Sequence, residues 1–287
     1  MEKEHIKRVS AIRQWRVLTG EYISLLWRDK KNLLISLLFP VMAAIITVWI
    51  AGENMFVHYD GTKSACFVIV SAAIWGGLFN SITTVVKARK IIKRNHIAGV
   101  RFRCYTASRA IVQFVLCMVQ SAILSLSLIG VERIHGNSLP ENGLIFHSSM
   151  AEYYITILLL MYAADTMGLM ISSMVRKEES ANVLAPYILI VQLIFSGVLF
   201  GLNGATKILS YGMLSKWGME ALGSISNLND LPLQIQLTVP AVSHSAEDMY
   251  LYTSEHLYQV WAVFLIFILG FVSLGNLLLH RAAKDSR

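Results

Sequence analysis

A chain of 287 residues that is 55% hydrophobic and only 15% charged, with a mean hydropathy of +0.55, is too apolar and too charge-poor for an ordinary soluble domain. The formal net charge of +7 would suit nucleic acid, but the basic residues lie beside apolar runs, where membrane topology and anionic lipid headgroups account for them. We therefore expect an all-α integral membrane protein with membrane lipids, and no nucleic acid, among its partners.

Residues 1–32 carry Lys3, Lys7, Arg8, Arg13, Arg16, Arg28, Lys30 and Lys31 against Glu2, Glu4, Glu21 and Asp29. That excess places them in the cytoplasm. They lack an apolar core near the start, so no cleavable leader is expected. Trp15, Leu18, Tyr22, Leu25 and Leu26 recur at helical spacing, which predicts an amphipathic helix lying along the inner membrane surface or packed on a soluble partner. Six apolar stretches follow, at 33–51, 66–86, 110–131, 153–175, 183–202 and 260–279, each long enough to cross a bilayer core of about 30 Å. Pro40 in the first is tolerable where a neighbour satisfies the carbonyl it frees.

The segments between these spans alternate in charge. The stretch 87–109 is strongly basic, with Lys87, Arg89, Lys90, Lys93, Arg94, Arg101, Arg103 and Arg109, and has no acid between Asp60 and Glu132. Such a loop is retained in the cytoplasm. The links around Glu53 and Asp60 and around Glu132 and Glu141 are acidic and external, and Arg176-Lys177-Glu178-Glu179 makes a tight inner turn. Residues 203–258 form one long external segment in which Ile208, Leu209, Met213, Leu214, Trp217 and Leu222 predict short helices. It either caps an exit route or packs the outer ends of the last spans. The expected organisation is a cytoplasmic helix over 1–32 and a six-helix membrane domain over 33–287, with both termini inside.

No phosphate-binding loop of the GxxxxGK(S/T) type, no HExxH and no Cys/His set with zinc spacing occurs. His135, His147, His244 and His256 read as surface histidines, and Cys66, Cys104 and Cys117 do not form a disulfide framework. Neither a catalytic residue nor a metal site is expected. Asp165 lies near the middle of the fourth span, where a charge costs about 2.5–3.5 kcal/mol. It is either a structural pairing partner or part of a proton or cation relay. Asn80, Gln113, Gln120, Gln192 and Asn276 either join helices by hydrogen bonds or meet cargo.

Four stretches, in this order, resemble the membrane domain of ABC exporters of the White/ABCG type, including bacterial relatives that carry forkhead-associated domains. They are Arg13-Gln14-Trp15 with Arg28-Asp29 and Asn32-Leu33-Leu34, then Lys87 to Asn95 with Gly99 and Tyr105, then Gln192 with Phe195-Ser196-Gly197-Val198-Leu199-Phe200, and lastly Ser215 to Leu222. The resemblance implies a plasma-membrane permease that dimerises and moves a hydrophobic or amphipathic cargo outward. ATP and Mg would be bound by a separate ATPase chain, and no cofactor by this one. It assigns Arg13, Gln14, Trp15, Arg28 and Asp29 to a connecting helix, and Lys87, Arg89, Lys90, Lys93, Arg94, Asn95 and Gly99 to the loop that takes the ATPase stroke. It puts Ala73, Gly76, Asn80, Ile190 and Leu193 along the cargo pathway, Val198 and Leu199 in an apolar exit plug, and a re-entrant helix before the last span. The second permease subunit that the resemblance implies is either identical or different; Ala88 and Asn95 stand where the family usually has glutamates, a departure that points to a heterodimer with a more orthodox permease. Two other readings stand beside this one: a non-transporting scaffold or sensor, and an ion-coupled transporter using Asp165.

Overall fold

The computed structural model describes residues 9–52, 55–135, 143–237 and 246–284. Lys3, Lys7, Arg8, Glu2, Glu4, Glu53, Glu141 and His244 lie outside the described residues, as does the side chain of His135. Among the described residues the chain is all helical, with no strand: α1 Ala11–Arg28, α2 Lys30–Ala51, α3 Tyr59–Ser81, α4 Thr84–Ile97, α5 Phe102–His135, α6 Ser149–Met174, α7 Glu178–Ile194, α8 Ala205–Ser210, α9 Leu214–Ile225 and α10 Ser254–Lys284.

Helices α1 and α2 meet at a joint made by one residue. Asp29 ends α1 and caps α2, its carboxylate accepting from the Asn32 backbone N–H at 3.4 Å and from the Asn32 amide at 2.7 Å. The amphipathic helix expected near the start is α1, which buries Leu18 and Tyr22 against α5 and leaves Arg13, Arg16 and Trp27 exposed. In α2, Pro40 cannot donate to the Ser36 carbonyl one turn earlier. Gln120 of α5 does so instead, at 3.0 Å.

Helix α6 is the hub, buried over 72% of its most apolar stretch, whereas α10 is buried over only 22%. It lies tightly against α3 because two glycines let the backbones approach. A Cβ on Gly77 would sit 2.0 Å from the Met161 carbonyl, and one on Gly168 would sit 2.7 Å from the Leu78 carbonyl. The α2, α5, α7 and α10 helices surround this pair.

Among the described residues, five helices are long and apolar enough to cross a membrane: Lys30–Ala51, Tyr59–Ile97, Phe102–Arg133, Ser149–Met174 and Ser254–Arg281. The remaining stretch expected to span, 183–202, is different. Helix α7 has 17 residues and stops at Ile194, and the chain then runs through irregular turns in which Gly197 and Gly204 take φ of +82° and +54°. At about 1.5 Å per residue α7 covers roughly 25 Å, short of a full hydrocarbon core.

At the acidic end, α9 is packed between α3, α6 and α10. Gly218 faces Leu160 and Val70 where a Cβ would meet them at about 3 Å, and Ser226 just beyond it bonds the Tyr153 hydroxyl. Two charges go inside with α9. Lys216 and Glu220, one turn apart, pair at 2.5 Å, and Lys216 lies over the Trp217 ring at 3.6 Å. His256, expected at the surface, is enclosed beside Glu220 at 3.7 Å. The stretch around Glu247 is pinned by Lys63, which pairs with Glu247 at 2.8 Å beside the rings of Tyr59 and Tyr250. Enclosure against Met249 and Leu228 pushes the Tyr250 hydroxyl well above its usual pKa.

Candidate functional site

The basic stretch 87–109 is mostly helix. It comprises all but the first turn of α4, a turn at 98–101 with Gly99 at φ +98°, and the first two turns of α5. Helix α4 starts where it does because of α6: the Ser172 hydroxyl accepts from the Val85 and Val86 N–H groups at 3.0 and 3.1 Å, satisfying donors that a first turn leaves without partners. Lys87 pairs with Glu178 of α7 at 3.1 Å, and Arg89 donates to the Val175 carbonyl. Lys90, Lys93 and Arg94 point outward, as do Arg101 and Arg103 beyond the turn, so a cationic face is displayed on a helix bolted to the bundle.

The far end of α4 is held by α1. The Gln14 amide donates to the Gly99 carbonyl at 3.3 Å, and its oxygen accepts from the Arg101 N–H at 3.1 Å. Trp15 and Leu18 join Ile92, Phe102, Tyr105 and Leu279 in a small separate core. The Asn95 carbonyl accepts from Val100 across the turn. Gln14, Trp15, Asn95 and Gly99 are thus brought together, while Arg13 and Arg28 are exposed on α1.

Beside this clasp a cavity of about 850 Å³ opens between α1, α2, α3, α4, α5 and the start of α7. Gly76 and Asn80 line it, with Phe39, Trp75 and Phe79 as apolar wall and Asp29, Lys87 and Glu178 among its charged lining. Asn80 also joins helices. Its amide and that of Gln120 bond reciprocally, at 2.6 and 3.1 Å, and Gln113 donates to the Asn80 carbonyl at 3.0 Å and to the Tyr22 hydroxyl at 2.7 Å. Burial holds that hydroxyl well above its usual pKa, so it accepts from Gln113 as a neutral phenol.

Ala73 does not reach this cavity; it is fully buried in the main core. Ile190 is exposed on α7, Leu193 is half-buried, and Val198 and Leu199 sit in the turn after α7, with Leu199 exposed. Gln192 anchors α9, its side-chain oxygen accepting from the Ser215 N–H at 3.1 Å. Asp165 is enclosed in α6 with neither carboxylate oxygen hydrogen-bonded and no ion pair among the described residues; its backbone carbonyl accepts from Ser81. A relay would need a titratable neighbour within hydrogen-bond reach.

The sequence reading missed three contributors. Arg109, counted there with the loop cations, is 3% exposed, lines the cavity and stacks on the rings of Tyr22 and Tyr105 at 3.9 and 4.6 Å. Glu178 and Ser172 tie α4 down from 86 or more residues away in sequence, and no local pattern marks them for that role.

The sequence profile of the ABC-2 type transporter membrane domain matches residues 13–225, from α1 through α9. The chain belongs to that family. It is also similar to the ABC transporter ATP-binding/permease protein Rv1747 of Mycobacterium tuberculosis, 21% identical over 229 residues. That match takes in 76% of this chain but only 26% of the relative, so the ABC-2 chain spans about a quarter of the length of the protein it matches. Membership makes it the membrane-spanning, multi-pass permease part of an ABC transporter, a class in which the membrane domain itself holds no nucleotide.

Proposed function

We propose that this ABC-2 permease exports a hydrophobic or amphipathic cargo by alternating access, driven by ATP hydrolysis on a separate chain. In this reading it crosses the plasma membrane six times, with α7 as the fifth crossing and both termini in the cytoplasm, and a second permease subunit completes the pathway. This reading divides the chain into a connecting helix over 1–32 and a membrane domain over 33–287, and the nearby α1–α2 joint at Asp29 supports such a division. The apolar faces that α7 and α3 leave open, with Ile190, Tyr187 and Phe79, suit a partner subunit. Val198 and Leu199, beyond the end of α7, would close the exit, since an apolar constriction shuts by dewetting. Helix α9 would be the re-entrant element beneath that exit.

The observation that supports this most is the mounting of α4. Its outward cations have a rigid path into the bundle, through Ser172 and Glu178 to α6 and α7 and through Gln14 to α1. A push on this helix is therefore delivered to the walls of the cavity. Purifying the chain together with its genomic neighbours tests the reading: a nucleotide hydrolase should copurify, and its cargo-stimulated ATP turnover should fall at least tenfold in Arg94→Glu. If the intact chain never associates with a hydrolase, the reading fails.

A further inference from the structure

Arg109 is a buried cation for which the described residues supply no ion-pair partner. Its guanidinium makes no ion pair among the described residues, and its Nε and Nη1 are buried without an acceptor. A guanidinium does not release its proton at physiological pH, so it has no escape by neutralisation. The faces of Tyr22 and Tyr105, and the neutral Tyr105 hydroxyl beside it, offset part of the charge without supplying an anion. The other charges lining the cavity are Lys87, paired with Glu178 at 3.1 Å, and the exposed Asp29, which is held by the neutral Asn32 amide at 2.7 Å. Gln113, one turn further along α5, donates its amide N–H groups to Tyr22 and Asn80, and its side-chain oxygen is buried without a donor. Arg109 is thus the cation of the lining that has no carboxylate beside it, on a wall that is mostly aromatic, aliphatic and neutral polar. At about 850 Å³ the space is that of a site for a small organic molecule.

We propose that the cavity holds an anionic amphiphile, its acidic group, a carboxylate or phosphate, against Arg109 and its hydrocarbon chain along Phe39, Trp75 and Phe79. This deepens the export reading and rests on it in one respect, that the cavity lies on the cargo path. The occupant is a molecule with both parts: a bare anion would leave the aromatic wall wet, and a neutral lipid would leave the guanidinium without a partner.

Equilibrium binding to the full chain in phosphatidylcholine nanodiscs tests this, with oleate, oleoyl lysophosphatidate, mono-oleoylglycerol and inorganic phosphate as probes. The wild-type chain should bind at least one acidic probe at least tenfold more tightly than mono-oleoylglycerol, a comparison that needs no variant to fold. Arg109→Gln should erase that preference, and Arg109→Lys should keep part of it. Equal binding of acidic and neutral probes, or an unchanged preference in Arg109→Gln, overturns the proposal. Millimolar inorganic phosphate that displaces the acidic probes also overturns it, in favour of a free anion. A preference lost while a copurified hydrolase still turns over ATP removes the amphiphile and leaves the export reading. A preference kept in a chain that never meets a hydrolase upholds the site and removes export.

Discussion

Replacing Gln120 with Leu isolates the one hydrogen bond that makes Pro40 tolerable in α2. The Ser36 carbonyl receives nothing from residue 40, and the Gln120 amide reaches it at 3.0 Å from the facing helix. Gln120→Leu strips that acceptor and also leaves the Asn80 amide without its partner. A buried unsatisfied group costs about 1–3 kcal/mol in soluble proteins. Interhelical side-chain bonds in membrane proteins are worth about 0.6 kcal/mol on average and about 1.7 at most, because the unfolded chain also finds partners. Ser36 is half-buried, so the lower scale applies, and Gln120→Leu should cost roughly 1–3 kcal/mol over both lost contacts. The decisive measurement is a double-mutant cycle with Pro40→Ala. An alanine in place of the proline restores a backbone N–H for Ser36, so the same Gln120→Leu change should cost about 0.6–1.7 kcal/mol less in that background. The Asn80 contribution is common to both backgrounds and cancels. Unfolding free energies of the four proteins, from denaturant titration in detergent, give the coupling. If the two costs agree within about 0.3 kcal/mol, Gln120 does not stand in for the missing donor and the reasoning is refuted.

Neighbouring glycines should respond oppositely to a single methyl. Gly77→Ala drives a Cβ to 2.0 Å from a carbonyl in α6 and should abolish the monodisperse peak on size-exclusion chromatography, whereas at Gly76 the nearest atom is 3.5 Å away and Gly76→Ala should run as wild type. Ser172→Ala uncaps α4 at a cost of about 1 kcal/mol, which should appear as roughly fivefold faster amide exchange in its first turn with the rest of the helix unchanged. Lys87→Glu breaks a pair whose side chains are 53% and 45% exposed, so stability should change by less than about 1 kcal/mol, and adding Glu178→Lys should recover it. A larger loss in thermal melting would mean that Lys87 carries more than this pair.

Much of the architecture was legible in the order of residues because it rests on local pattern. Apolar runs long enough to cross a bilayer mark α2, α3, α5, α6 and α10, and the 3–4 spacing of Trp15, Leu18 and Tyr22 marks the buried face of α1. Hydropathy was a poorer guide at 183–202, where the apolar run continues through Phe195-Ser196-Gly197 but the helix does not. Gly197 adopts positive φ and Ser196 turns its hydroxyl to the Val198 N–H, features to which an average over side chains is blind. Of the expected pathway residues, Gly76 and Asn80 come together at the cavity, while Ala73 lies inside the bundle because the α3 face it shares is the one pressed on α6.

What the sequence determines alone, then, is a membrane-embedded helical chain with a basic stretch after its second apolar run, since length, hydropathy and charge are properties of neighbours along the chain. Only the tertiary structure decides that this stretch is a helix capped by Ser172, that Gln120 answers for Pro40, that Lys216 and Glu220 go inside as a pair, and that Arg109 is enclosed between two tyrosine rings at the edge of a cavity. Each of these depends on a donor, acceptor or charge delivered across space from another segment or helix turn, and the free energy of a polar group turns on whether that partner arrives.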